Sequence, residues 1–389
     1  MDETSKQPIA VIFANMKGNL GDFAILHAML LGLGKKNPGT AIHVYSHPMR
    51  HDDTKRMEAF RLAAPMYEYC GPSYGSKPGK LTMMALKLGL LPGGLAAVIR
   101  TSAEKWKKDF CSFSQYSAVY VAGGEQWNGR GLGALMFASL RALRGLGVPV
   151  YCFPFSIKPK LSKLYSSQQI KEFFSLLSEP LVVRDVTSAD FLAKFGVAAE
   201  VGADSVFALE SEVSKIPPAE GRDANRVLLA VTGNYANIAA AASTLKSTGY
   251  RVEAITTCEI EDKENLERLQ LEHGVGYWAP STWQGFVSEV KASQLVVTNR
   301  LHGVILSVLS GSLLYPVTDR NKVASFVKDA RIKHYAVSLS AFGETQIADA
   351  LIARQDTLRL TSAYLEGRRS LPCSPLRDAE NGEVHVQIS

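Results

Sequence analysis

Short apolar, β-prone runs alternate along this chain with segments whose apolar residues recur at helical spacing, and this alternation restricts the fold more than any other feature. When a helix separates each strand from the next, neighbouring strands run parallel and the helices cross over between them. The pattern therefore predicts an α/β fold with parallel sheets. In the first half of the chain, the predicted strands are 9–14, 41–45, 118–122, 148–153 and 181–183.

A polar, proline-bearing stretch at 210–225 interrupts the alternation, which then restarts with predicted strands at 227–231, 251–256, 295–298 and 313–317. The chain has 389 residues, more than one hydrophobic core usually serves. We therefore predict two domains, 1–209 and 226–366, joined by a linker at 210–225. Residues 367–389 contain few large apolar side chains, which predicts a flexible tail.

Composition narrows the class of protein and of partner. Hydrophobic residues make up 46% and charged residues 21% of the chain, as in folded globular proteins. The net charge of +6 is too small for a dedicated nucleic-acid-binding protein, but it suits an anionic ligand or an anionic membrane surface. Five scattered cysteines without C-x-x-C spacing favour a reducing, cytoplasmic setting and predict neither a disulfide framework nor a zinc cluster.

The loop at 15–22 follows the first predicted strand and contains Asn19, Gly21 and Asp22. Backbone amides at such a strand-to-helix turn face the crevice in which α/β proteins bind ligands. The loop has neither the GxGxxG nor the GxxxxGK[ST] pattern, so it predicts neither a dinucleotide-binding fold nor a P-loop. A purely structural alternative is that Asp22 caps the following helix.

A second loop, at 121–129, follows another predicted strand and displays Glu125, Trp127 and Asn128 after two glycines. Glycines permit close approach of the backbone to a ligand, and the indole of Trp127 has an apolar face of the kind that packs on sugars. The alternative is an ordinary turn with a packed tryptophan.

The most informative loop is 298–303, where Arg300 and His302 arrive together at the end of a predicted strand. A guanidinium binds phosphate or carboxylate through two hydrogen bonds, and histidine exchanges protons near neutral pH. Lys322 follows the next predicted strand and Arg184 ends an earlier one, so both cations point to the same crevice. For Lys322 or Arg184 taken alone, a surface salt bridge is the favoured interpretation.

Together these loops form an ordered set that resembles the polysaccharide pyruvyl transferase family, over residues 9–326. The matching blocks are Gly18, Asn19, Gly21 and Asp22; Gly123 and Gly124; Val183, Arg184, Asp185 and Ser188; Gly202 and Asp204; Asn299, Arg300, Leu301, His302 and Gly303; and Asp319 and Lys322.

The resemblance implies two Rossmann-like domains in the GT-B glycosyltransferase architecture. It also implies a phosphoenolpyruvate donor and a pyruvate ketal formed on a sugar of a polysaccharide or glycolipid precursor, with neither a metal nor a separate cofactor. His302 would be the general acid, while the base is either Asp22 or Glu125. The implied donor side is Arg184, Asn299, Arg300, Leu301, His302 and Lys322, and the implied acceptor side is Asn19, Asp22, Glu125, Trp127 and Asn128.

Two other functions fit the same residues. A GT-B glycosyltransferase that uses a nucleotide sugar would share the architecture and the cationic anchors. A non-catalytic protein that binds anions or glycans would keep the cations without needing His302.

The stretch 77–110 interleaves apolar residues with lysines around a Pro-Gly-Gly break. Such a segment suits peripheral association with an anionic membrane, where lipid-linked acceptors of the family would lie. A buried helix pair with solvated lysines is the alternative.

Overall fold

The computed structural model describes residues 6–16, 18–46, 54–72, 110–124, 127, 130–163, 165–178, 180–220, 223 and 225–370. Two parallel five-stranded sheets of matching strand order organise it, β3-β2-β1-β4-β5 and β10-β9-β8-β11-β12. A parallel pair, β6 and β7, stands beside the first sheet, joined to it through single bridges at Phe155. The strands are β1 (Ile9–Ala14), β2 (Ile42–Ser46), β3 (Glu68–Pro72), β4 (Ala118–Val121), β5 (Val150–Cys152), β6 (Val182–Val183), β7 (Glu200–Val201), β8 (Arg226–Ala230), β9 (Arg251–Ile255), β10 (Gly276–Trp278), β11 (Leu295–Thr298) and β12 (Leu314–Pro316).

Helices connect most of these strands and cover the faces of both sheets. They are α1 (Leu20–Lys36), α2 (Thr54–Ala63), α3 (Arg130–Arg144), α4 (Ser167–Ser175), α5 (Val186–Ala193), α6 (Glu210–Lys215), α7 (Tyr235–Ser247), α8 (Glu259–His273), α9 (Trp283–Lys291), α10 (Leu301–Leu309), α11 (Asn321–Asp329), α12 (Glu344–Ile352) and α13 (Arg354–Ser370).

The α/β class and the parallel sheets predicted from the sequence are confirmed. Each predicted strand overlaps an observed one. Three strands were not predicted, namely β3, β7 and β10, and each stands at the edge of its sheet. An edge strand pairs on one side only and does not need a continuous apolar run.

Helices cover part of the predicted linker and the start of the predicted tail. The stretch 210–225, predicted as a linker, begins with α6, which directly follows a 3₁₀ turn at Ser205–Leu209. Helix α13 continues to Ser370, so the predicted tail at 367–389 begins inside a helix, and residues 371–389 lie outside the described part.

Helix α1 is the element that the two halves share. Twelve of its 17 residues are buried, which is typical of a helix that is packed on all sides. A single apolar cluster runs from Val11 of the first sheet through Leu26 of α1 to Phe286 of α9 and Val296 of the second sheet. The two sheets therefore close on a common core.

A buried hydrogen bond links α1 to α9 within this core. The indole Nε1 of Trp283 donates to Nδ1 of His27 over 3.0 Å, and the residues are 1% and 5% exposed. Burial lowers the pKa of His27 to about 4, although Glu212 acts in the opposite direction. His27 is therefore neutral at physiological pH and carries its proton on Nε2.

The neutral state of His27 predicts a loss of stability in mild acid. The unfolded chain takes up this proton near pH 6.5, whereas folded His27 takes it up only near 4. Neutral His27 contributes up to about 3 kcal/mol to the free energy of unfolding. This contribution is complete above pH 6.5 and is lost as the pH falls to about 4. Urea unfolding across this range measures the loss. His27→Asn keeps an acceptor for the indole without a titrating ring, so its stability should depend less on pH. Equal pH dependence in both proteins would contradict the assignment.

Candidate functional site

The amino termini of α1 and α10 meet where the two halves of the chain face each other. Gly21, in the first turn of α1, lies against His302, in the first turn of α10. A Cβ at Gly21 would stand 2.7 Å from the Cβ of His302 and would collide with the imidazole ring. The glycine of the first loop is thus required for the close approach of His302.

Arg184, Asp204 and His302 form the charged centre of the site. The Nη1 of Arg184 donates to Oδ2 of Asp204 over 2.5 Å, and the Nε2 of His302 lies 3.7 Å from the same oxygen. Burial raises the pKa of Asp204, but Arg184, His302 and the amide of Val206 together hold it well below the usual range. Asp204 is therefore ionised, is paired with Arg184 and lies next to the imidazole of His302.

Three buried polar atoms around this centre have no hydrogen-bond partner among the residues that the structure describes. They are Nη2 of Arg184, Nε2 of His302 and Oγ of Ser205. The 3.7 Å separation of His302 from Asp204 is too long for a hydrogen bond. Because buried polar groups in folded proteins are nearly always hydrogen-bonded, these three atoms are candidates for hydrogen bonds to a bound ligand.

Asp22 faces this centre from the first turn of α1. Nδ2 of Asn15 donates to its Oδ2 over 2.6 Å. Burial raises the pKa of Asp22 to about 6, and nearby Glu261 adds to this, while His302, Lys322 and Arg184 oppose it. A carboxylate that changes protonation near neutral pH is suited to act as a general base.

A small pocket opens beside Asp22 at the carboxyl ends of β1 and β4. Its wall combines the polar groups of Asn15 and Asp22 with apolar side chains and the backbone of the glycine turn: Ala14, Ile25, Leu26, Met29, Ala122 and Gly123. The pocket thus brings the polar groups of Asn15 and Asp22 together beside an apolar wall.

Arg300 is engaged by carboxylates of α8. Its Nη2 donates to Asp262 over 2.6 Å and its Nη1 to Glu261 over 2.8 Å, while Thr256 donates to the other oxygen of Asp262. Its Nε is buried without a partner in the described chain. Arg300 is predicted from the sequence as a ligand anchor, but its ion pairs are not predictable there, because carboxylates in the first turn of a helix are common.

The side chains of Asn299 and Leu301, both predicted on the donor side, make their contacts within the protein. The carboxamide of Asn299 is fully buried, accepts from the amide of Thr232 and donates to its carbonyl and to Asp319. Leu301 packs against two apolar clusters. Both residues thus hold the loop that places Arg300 and His302.

The polar residues that follow Arg184 in its sequence block, Asp185 and Ser188, form local hydrogen bonds that hold the structure around it. Asp185 caps α5 by accepting from the amide of Ser188 over 2.8 Å, and it also accepts from Ser156. The hydroxyl of Ser188 accepts from the amide of Ile157. These bonds hold Arg184, whose Nε donates to Ser156, at the end of β6.

The predicted acceptor residues lie in different environments. Asn19 caps α1 through the amide of Gly21, so its side-chain oxygen has a structural role. Trp127 is fully buried and packs edge-on against Phe173, with ring centroids 4.7 Å apart, so neither face of the indole is open to a sugar. This differs from the prediction, because a loop tryptophan packs wherever an apolar cluster lies beneath it. Glu125 and Asn128 lie outside the described residues.

The stretch 77–110, predicted as a membrane-associated segment, also lies outside the described residues except for Phe110. Within the described ranges, no helix is long and apolar enough to cross a membrane. In the same ranges, no group of three His, Cys, Asp or Glu side chains is placed to hold a metal ion.

Asp204 and Asn15 are the site residues that the sequence analysis left out of its donor and acceptor sets. Asp204 belonged to a recognised block, but nothing in a Gly-x-Asp turn shows that it will contact Arg184. Asn15 stood in the first loop, and its bond to Asp22 depends on how the loop folds back.

The chain was compared with protein families and with curated proteins. A family model for polysaccharide pyruvyl transferases matches residues 19–311. No match was found among curated proteins.

Solved structures share the fold at low identity. One is a UDP-GlcNAc 2-epimerase from Neisseria meningitidis bound to UDP-GlcNAc, with a TM-score of 0.58, 13% identity, and coverage of 96% of this chain and 97% of that one. Another is a putative UDP-N-acetylglucosamine 2-epimerase from Listeria monocytogenes (TM-score 0.61, 11% identity, 97% and 94% covered). A third is a UGT transferase from Siraitia grosvenorii in complex with UDP (TM-score 0.52, 13% identity, 96% and 98% covered). The architecture is therefore that of GT-B-type epimerases and glycosyltransferases.

Gly21→Ala tests the contact between the two helix termini. The added methyl group must displace His302 or the start of α1, so we expect a loss of about 1–3 kcal/mol in the free energy of unfolding. Gly34→Ala on the same helix is the control, because a Cβ there meets nothing within 4 Å and should stabilise the helix by about 0.5–1 kcal/mol. Chemical denaturation of both variants measures the difference. Similar stability of the two would show that Gly21 and His302 are not in contact.

Proposed function

The chain belongs to the polysaccharide pyruvyl transferase family, and from this premise we propose that it moves a pyruvyl group from phosphoenolpyruvate to a sugar. The product is a pyruvate ketal across two hydroxyls of a polysaccharide or glycolipid precursor, and phosphate is released. The acceptor in this proposal includes lipid-linked sugars. The proposed reaction requires neither a metal nor a separate cofactor.

The observation that carries the proposal is the set of buried nitrogen atoms without partners among the described residues. Phosphoenolpyruvate has a phosphate and a carboxylate, so its site needs several fixed cationic donors. Nη2 of Arg184 and Nε of Arg300 are such donors, and both are buried. Lys322 lies close enough to Asp22 to lower the pKa of that carboxyl, which supports a third cation at the proposed donor site.

His302 is the proposed general acid. Its Nε2 is buried beside Arg184 and Asp204, without a hydrogen-bond partner in the described part of the chain. Protonation of C3 of the donor converts the methylene to a methyl group and leaves positive charge at C2. Asp204 is ionised and 3.7 Å from Nε2, so it stabilises the charged imidazole before the proton is delivered.

Asp22 is the proposed base. The first sugar hydroxyl forms a bond to C2 and gives its proton to Asp22. The bond between C2 and the phosphate oxygen then breaks, and the second hydroxyl adds to C2 and closes the ketal. One hydroxyl proton replaces the proton given to C3, and the other leaves with phosphate. A pKa near 6 leaves Asp22 largely ionised at neutral pH and therefore able to accept.

The test of the proposed function is incubation of the full-length protein with phosphoenolpyruvate and a panel of candidate glycans. We expect acceptor-dependent release of phosphate and a glycan heavier by one pyruvyl ketal in mass spectrometry. Nucleotide release from a sugar nucleotide, without reaction of phosphoenolpyruvate, would instead identify a glycosyltransferase. Binding of glycan or phosphoenolpyruvate without any turnover would identify a binding protein.

His302→Gln separates catalysis from binding. Glutamine keeps a polar side chain of similar size but cannot deliver a proton, so we expect turnover to fall roughly 10²- to 10⁴-fold. The affinity for phosphoenolpyruvate, measured by calorimetry, should change far less. The control is His273→Gln at the end of α8, away from this site, which should keep full activity. Near-normal phosphate release by His302→Gln would refute the general-acid role.

A further inference from the structure

We propose that Arg56 is a positioning residue. Its hydrogen bonds hold the loop that carries Asp22 against the turn after β9, and this contact fixes the position of Asp22 relative to His302. The inference rests on the proposed function for its kinetic consequences, and on geometry alone for the fastening. Arg56 belongs to α2 and to none of the blocks that the family resemblance contains.

Two main-chain contacts join the first loop to the second half of the chain. The amide of Leu20 donates to the carbonyl of Thr257 over 2.7 Å. Asn19 and Cys258 form an isolated antiparallel bridge beside it. Both segments follow parallel strands, β1 and β9, so the bridge joins the carboxyl edges of the two sheets.

Arg56 forms hydrogen bonds to both segments of this joint, the contact between residues 18–20 and residues 257–258. Its Nη1 donates to the carbonyl of Gly18, in the first loop, and to the carbonyl of Thr257 over 3.3 Å. The residue is 2% exposed, and a guanidinium buried to this degree is costly unless it is hydrogen-bonded. Hydrogen bonds from a charged donor are also stronger than those between neutral groups. Arg56 thus keeps two carbonyl groups from distant parts of the chain close to each other.

The joint adjoins the proposed catalytic groups. Leu20 is followed directly by Gly21, which contacts His302, and then by Asp22. If the loop moves away from Thr257, Asp22 moves with it, whereas His302 stays with the second sheet. A displacement of about 1 Å between reacting groups is enough to lower the rate about 10²-fold.

Arg56→Met removes both hydrogen bonds and keeps much of the side-chain volume. We expect kcat to fall by about 10²-fold, while the KM for phosphoenolpyruvate changes little, because the proposed donor anchors lie elsewhere. Arg56→Lys keeps the charge and a donor, so it should recover part of kcat. The matched control is Arg61→Met, an exposed arginine on the same helix, which should leave kcat unchanged.

The pH profile distinguishes positioning from a general loss of stability. Asp22 is surrounded by His302, Lys322, Arg184 and Glu261, and burial is the largest influence on it. Admitting water to the joint weakens that largest influence, so the acid limb of kcat/KM should move from about pH 6 to lower pH in Arg56→Met. A variant that only lost folded protein would keep the limb in place.

Hydrogen exchange of the Leu20 amide tests the fastening without any substrate. In Arg56→Met this amide should lose protection, while amides of the central strands β1 and β8 keep theirs. Full protection of Leu20 in Arg56→Met, or an equal loss in Arg61→Met, would overturn the proposal. If Arg56→Met does not fold, the same comparison is made with Arg56→Lys. Failure of every variant and of the wild type to use phosphoenolpyruvate would reject the proposed function but leave the exchange result decisive for Arg56.

Discussion

The burial of α1 between the two sheets is the constraint on which the rest of the structure depends. Because this helix is apolar on nearly all sides, it forms the core of the first half with β1 and also packs on α9 of the second half. The hydrogen bond from Trp283 to His27 is made inside that shared core. The amino terminus of α1 therefore lies against that of α10, where Gly21, directly before Asp22, is in close contact with His302.

Two buried carboxylates of the site, Asp22 and Asp204, differ in their pKa because their partners differ. Asp22 has the amide of Asn15 as its hydrogen-bond donor, and desolvation raises its pKa to about 6. Asp204 is as deeply placed, but it contacts Arg184 and the amide of Val206, and its pKa stays well below the usual range. Two aspartates in one site are thus suited to two tasks, proton acceptance and fixed negative charge.

Sequence reasoning succeeded where one local pattern determines the outcome. Central parallel strands are buried on both faces, so they read as apolar runs, and loops after them meet at the carboxyl edge of the sheet. It failed where a residue's role depends on partners far along the chain. Trp127 entered the core because Phe173 lies beneath it, and Arg300 is paired with carboxylates that begin α8. Edge strands such as β10 carry no continuous apolar run and escaped the prediction.

By itself, the sequence determined the α/β class, the central strands of both sheets, and the strand-end loops that contain Asp22, Arg184 and His302, because periodicity and turn residues act over a few neighbours. Only the tertiary structure decided which of these side chains meet. The bond of Arg184 to Asp204 and the bridging of Gly18 and Thr257 by Arg56 join residues 20 to 201 positions apart. Such contacts form only when the two sheets pack together, and the burial that results raises the pKa of Asp22. No local sequence pattern records either effect.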